Sequence, residues 1–194
     1  MKIVFATHNK NKLKEVREIL GNNFQVLGLD DINCFEEIPE PYPTIEENAA
    51  QKSFYVYNKY GFDCFADDTG LEIEALNGEP GVYSARYAGE NVDFEQNMNK
   101  VLSKMKGEKN RKARFKTVFS LVISGKEIAF EGLVNGIISE EKHGEKGFGY
   151  DPIFVPDGYD KSFAQMSSQE KNEISHRAVA TKKLENYLKS GLNE

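Results

Sequence analysis

The chain has 194 residues, enough for one substantial domain or at most two small lobes. Hydrophobic residues make up 39% and charged residues 29%, without a fixed-period repeat or low-complexity tract, which argues against a disordered chain. The formal net charge of −6 argues against a general nucleic-acid binder, but a local cluster of Lys and Arg still suits an anionic small molecule.

Residues 2–6, KIVFA, form a short β-rich run suited to a buried strand. That run is too short for a signal-peptide core and no later segment is long enough to span a bilayer, so the expected compartment is the cytoplasm, away from membranes. From Asn11 the apolar residues Leu13, Val16, Ile19 and Leu20 keep helical spacing, and Gly21 is a natural stop. A second strand fits residues 24–29. "EEIPEPYP" then carries three prolines within five residues, which marks an extended loop.

Thr44 and Glu47 form a capping-box pattern opening a helix that reaches about Tyr60. "FDCFADDTGLEIEAL" reads as a buried strand, a sharp acidic turn and an alternating strand, and "NGEPGVYSARYAG" as a glycine-rich loop. Asp93 and Gln96 open a helix through Met105. Residues 114–139 are antiparallel strands around a tight turn at Ser124-Gly125. "GFGYDPIFVP" is a glycine loop feeding a strand, and residues 167–188 are helical with a break near Ser175. Helices interleaved with strands around a β-rich middle predict an α/β sandwich with a mixed sheet. No stretch reads as a linker, so residues 1–194 are taken as one domain. Cys34 and Cys64 share no metal-ligand or CxxC spacing and are read as reduced, packed thiols.

Five stretches bear on chemistry. Thr7-His8-Asn9-Lys10-Asn11-Lys12 lies where a strand hands over to a helix. A helix N-terminus favours anions, so the run suits a polyphosphate, although a solvated turn fits as well and the P-loop pattern is absent. In "ADDTG", two adjacent carboxylates at a buried strand end call for a compensating cation, for which Mg²⁺ is the hard ion of choice; a turn cap is the plainer reading. Glu47 has a complete explanation in its capping box, and Lys52 in solvation. In "GEKGFGYDP" the glycines let backbone approach a flat ligand and Phe148 and Tyr150 offer stacking faces, or the rings simply anchor a loop. Lys171, His176 and Arg177 suit a purine 6-oxo group, or a cationic helix face.

Taken together, "THNKNKLKE", "TIEENAAQKS", "ADDTGLEIEALNGEPGVYSARYAG", "GFGYDPIF" and "MSSQEKNEISHR" resemble the inosine triphosphatase family in composition and order over nearly the whole chain. His8 stands where many members carry Gly, and Thr69 replaces the commoner Ser while keeping the hydroxyl. The resemblance implies an elongated two-lobed α/β fold with a central active-site cleft, a homodimer, and Mg²⁺-dependent hydrolysis of ITP, dITP and XTP to monophosphate and pyrophosphate. It implies that Glu47 and Asp68 hold Mg²⁺ and that Asp68 orients or deprotonates the attacking water. Thr7, His8, Asn9, Lys10, Asn11, Lys12, Lys52 and Thr69 would hold the phosphates. Phe148, Gly149, Tyr150, Asp151, Lys171, His176 and Arg177 would hold the base and sugar. A pyrophosphatase for modified pyrimidine nucleotides and a non-catalytic nucleotide sensor are the competing readings.

Overall fold

Apolar residues alternate sides along the first strand, β1 (Lys2–Phe5), of the computed structural model, which describes residues 1–89 and 93–191. After it come α1 (Lys10–Leu20), β2 (Gln25–Leu27), α2 (Ile45–Tyr60), β3 (Cys64–Ile73), β4 (Pro80–Gly81), α3 (Phe94–Lys104), β5 (Lys112–Ile123), β6 (Lys126–Ile138), β7 (Phe154–Pro156), α4 (Ser168–Ile174) and α5 (His176–Gly191). The hydrogen-bonded strand order is β2-β1-β3-β5-β6-β7, with β4 antiparallel to β3. Parallel β2-β1-β3 pairings beside the antiparallel β6-β7 pair make the sheet mixed, as expected for this α/β chain.

Two compact units divide the described residues. The first takes residues 1–68, 117–132 and the chain from 177; the second takes 69–116 and 133–176. Three of the four crossings fall inside β3, β5 and β6, which is why no linker is legible in the sequence.

In the first unit the strand pleat sorts side chains into two cores. Ile3 and Phe5 of β1 and Phe65 of β3 pack with Val16 and Leu20 of α1 and Ala180 and Leu184 of α5. Phe5 and Phe65 stack with ring centroids 4.6 Å apart. Val4, Ala6, Cys64 and Ala66 point the other way, into a core shared with Leu29 and Val56 of α2. Each large apolar side chain so buried contributes roughly 1.5–3 kcal/mol. Cys34 and Cys64 are both buried and free, in line with packed thiols.

The local signals explain the element ends. Asn9 caps α1 and Gly21 ends it at φ +56°. Thr44 caps α2, and Gly61 ends it in the left-handed region. Ser124 and Gly125, both at positive φ, make the two-residue turn between β5 and β6. Ser175 separates α4 from α5 with an extended ψ of 155°. One expectation fails: there is no acidic turn at ADDTG, because β3 runs unbroken from Cys64 to Ile73. The buried carboxylates survive inside a strand because cations from neighbouring helices meet them.

The second unit has its own core, in which Leu71, Ile73, Met98, Val101, Phe115, Ile138, Ile153, Phe154 and Phe163 are buried together. Among the described residues no helix is long and apolar enough to cross a membrane.

Candidate active site

Strand alternation carries on past the apolar part of β3. Asp67 continues the face of Phe65, toward α1 and α5; Asp68 continues the face of Cys64 and Ala66, toward α2. Both are buried. Asp67 Oδ2 lies 2.9 Å from Lys12 Nζ and 3.4 Å from an Arg177 guanidinium nitrogen. Arg177 in turn lies 2.5 Å from Glu15 of α1. Burial opposes ionisation of Asp67, but Lys12, Arg177 and Lys52 together hold its carboxyl well below the usual range.

Asp68 meets a different balance. Burial is the largest influence and raises its pKa; Lys52 and Lys12 oppose the rise, while Glu40 and Asp67 add to it, leaving a pKa of about 6. Its backbone carbonyl accepts from Thr117 Oγ1 at 3.0 Å, which fixes the strand at that point. Lys52 is buried and paired with Glu40. Burial works against its charge, but Glu40, Asp68 and Asp67 more than offset this and raise its pKa.

Glu40 was not among the expected site residues. The family resemblance paired Glu47 with Asp68 at the metal; here the exposed Glu47 carboxylate accepts from the Thr44 hydroxyl at 2.6 Å, within its helix cap. The acids that act most strongly on Asp68 are Glu40 and Asp67. Glu40 lies between Pro39 and Pro41, whose fixed φ keeps the loop from collapsing into a helix. An acid set between two such residues was the available signal. Asn48 was missed too. It occupies the buried stripe of α2 with Ile45, Ala49, Lys52, Ser53 and Val56, and polar residues on an apolar helix face are the cue that finds both it and Lys52.

The turn before α1 keeps part of its polarity for itself. Asn9 Oδ1 accepts from the N–H groups of Asn11 (3.0 Å) and Lys12 (3.1 Å), and Thr7 Oγ1 accepts from the N–H of Asn9 at 3.2 Å. Two helix-terminal N–H groups expected to face a phosphate are thus capped from within. The cations Lys10 and Lys12 remain at the turn. His8 bonds through Nε2 to the carbonyl of Glu36 at 2.9 Å. A cavity of about 530 Å³ flanks this turn, lined by Thr7, His8, Lys10, Lys14, Arg17 and Gly28 among others.

In the second unit, Asp151 Oδ2 accepts from the Phe148 N–H at 2.8 Å and from Lys171 Nζ at 2.7 Å. That ammonium lies 4.9 Å from the centroid of the half-buried Phe148 ring. Gly147 and Gly149 both have positive φ. A Cβ on Gly147 would come within 2.1 Å of Asp151 Oδ2, so only glycine leaves room for this carboxylate. Tyr150, expected as a stacking face, is instead buried in the core, its hydroxyl donating to the Ser84 carbonyl at 2.8 Å. His176 is buried and stacked on Phe115 at 4.5 Å. Thr69 is half-buried next to Asp68 in the chain. Arg177 belongs to the first unit, where Asp67 and Glu15 hold it.

The chain is similar to known proteins along nearly its whole length. Residues 3–187 match the profile described as the Ham1 family. The chain is 55% identical over 184 residues to a protein of Flavobacterium johnsoniae named dITP/XTP pyrophosphatase, covering 95% of this chain and 96% of that one. A Bacillus subtilis protein of the same name is 48% identical, with 96% of each chain covered. Among solved structures, the Ham1 protein of Staphylococcus aureus superposes with a TM-score of 0.89 at 40% identity, over 98% of this chain and 100% of that chain. That of Coxiella burnetii gives 0.90 at 35%, over 98% and 99%.

Proposed function

The chain belongs to the Ham1 family, and on that premise we propose how its residues divide the work of a nucleoside-triphosphate pyrophosphatase. It hydrolyses non-standard purine nucleoside triphosphates, namely ITP, dITP and XTP, to the monophosphate and pyrophosphate. One observation carries the assignment of roles: Asp68 is a buried carboxyl with a pKa of about 6, in reach of the fields of Lys52, Lys12 and Glu40.

A carboxylate poised near the working pH is suited to take a proton from water. Asp68 accepts that proton as the oxygen attacks the α-phosphorus. The bond from that phosphorus to the bridging oxygen breaks, and pyrophosphate leaves with the bond's electron pair. Lys12 and Lys52 neutralise the charge growing on the departing group. Thr7, His8, Asn9, Lys10 and Asn11 complete the phosphate seat of the first unit.

Among the described residues no three His, Cys, Asp or Glu side chains gather as a metal site, so a divalent cation would be held by two carboxylates and completed by water and phosphate oxygens. Asp68 and Glu40 offer hard carboxylate oxygens, and the desolvation that raises Asp68 is what a nearby cation would relieve. Mg²⁺, when bound there, supplies Lewis-acid stabilisation of phosphoryl oxygens. This gives Glu40 the role that the family resemblance implied for Glu47.

For the base, Phe148 and Gly149 offer a face and close backbone. Lys171, oriented by Asp151, donates to the 6-oxo acceptor of hypoxanthine or xanthine, with His176 beside it in the chain region that follows. Adenine carries a donor at that position and would set N–H against N–H there, a mismatch worth about 10⁴-fold or more in a site built for the bond. Two free thiols suit a reducing compartment such as the cytoplasm. A homodimer is carried by resemblance, and sedimentation velocity tests it.

The decisive experiment is a panel of ITP, XTP, ATP and GTP with Mg²⁺ and with EDTA, both products identified. Pyrophosphate from ITP and XTP with the metal alone is the expected result; equal turnover of all four nucleotides would overturn the assignment.

A further inference from the structure

Asn48 has no part in the roles above, yet every polar atom of its buried carboxamide is used. Oδ1 accepts from the Tyr42 N–H at 2.9 Å, and Nδ2 donates to the Tyr42 carbonyl at 3.0 Å. Nδ2 also lies 3.5 Å from Asp68 Oδ2, at the long limit of a hydrogen bond. The doubled bond to Tyr42 imitates one rung of a β-ladder.

The loop needs that rung. Pro39, Pro41 and Pro43 have no N–H, so Tyr42 brings one of the few main-chain donors in the stretch that carries Glu40. A buried amide costs stability unless fully paired, and an aliphatic side chain would fill the same stripe of α2 without that demand. What the carboxamide adds is a connection: it joins the backbone two residues after Glu40 to the carboxylate of Asp68.

We propose that Asn48 is a positioning residue that holds Glu40 and Asp68 in register for a divalent cation. The inference rests on the reading of those two acids as the metal pair. Nothing in it requires Asn48 to touch the metal or the nucleotide.

The test measures binding of Mn²⁺ alone, by electron paramagnetic resonance, to the full chain and to Asn48→Ala, Asn48→Leu and Glu40→Gln. ITP kinetics on the same proteins accompany it. Loss of an outer partner of a metal ligand typically weakens metal affinity about 10–100-fold. Both Asn48 variants are expected to weaken Mn²⁺ binding within that range, with kcat falling and KM for ITP nearly unchanged. Asn48→Leu keeps the packed volume, so it remains informative where the alanine variant unfolds. Folded Asn48 variants that bind Mn²⁺ as tightly as wild type, while Glu40→Gln does not, would overturn the role of Asn48 alone. Wild-type Mn²⁺ affinity in Glu40→Gln would remove the metal pair itself, and the inference with it.

Discussion

Asp67 and Asp68 are one peptide apart in β3, face opposite sides of it, and shift in acidity in opposite directions. Lys12 and Arg177 meet Asp67 directly. Asp68 shares its side with Glu40, so burial is only partly answered by Lys52. One carboxylate is thereby fixed as a charge, and the other is left ready to exchange a proton.

Asp68→Asn is therefore expected to lower kcat for ITP by roughly 10²–10⁴-fold, the range for a positioned general base, while nucleotide binding survives. In the wild type, Mn²⁺ affinity measured without nucleotide should fall as pH drops through about 6, where a proton competes with the metal for Asp68. Near-normal turnover in the variant would take Asp68 out of the reaction.

The same residue should reveal itself in stability. Because the folded state binds the Asp68 proton more tightly than the unfolded chain, stability falls as pH rises from about 3.8 through about 6. The penalty is complete above that window, on the order of 2–3 kcal/mol for a shift of this size. Asp68→Asn should accordingly be more resistant to urea at pH 7.5 than wild type, and the gap should close near pH 4. An unchanged or lower urea midpoint at pH 7.5 would contradict the charge balance described for β3.

Asp67→Asn should behave in the contrary way. Its folded pKa is depressed, so it contributes stability above the ordinary carboxylate pKa that is lost as pH falls below it. Removing the charge leaves Lys12 and the fully buried Arg177 without their shared partner, and breaking a buried pair this way costs about 3–5 kcal/mol. Denaturant titration of the two asparagine variants side by side separates an acid that holds the fold from one that strains it.

Much of this arrangement was legible in the sequence where local rules govern. The Thr44 cap on the Glu47 N–H, the two-residue turn at Ser124-Gly125 and the break at Ser175 are each set by residues within a few positions of one another. What escaped depends on partners distant in the chain. ADDTG looked like a turn because two acids in a strand are prohibitive until Lys12 and Arg177 arrive from two helices. Tyr150 looked like a ligand face because nothing nearby in sequence announces the Ser84 carbonyl that takes its hydroxyl. Glu40 was passed over although its flanking prolines mark it, and Glu47 entered through the family resemblance against its own plainer reading as a capping motif. That motif turned out to serve the helix.

The loop of the second unit supplies the last prediction. Gly147 is at φ +75°, and a side chain there would collide with the carboxylate that orients Lys171. Gly147→Ala thus carries two penalties: a left-handed backbone that disfavours alanine by roughly 1–2 kcal/mol, and displacement of Asp151 from Lys171. If Lys171 reads the 6-oxo group, KM for ITP should rise about tenfold or more, and discrimination against ATP should narrow, with Asp68 untouched and kcat at saturation largely kept. A fall in kcat at unchanged KM would show instead that this loop acts on the chemical step, and base recognition would then have to be sought outside the Asp151–Lys171 pair.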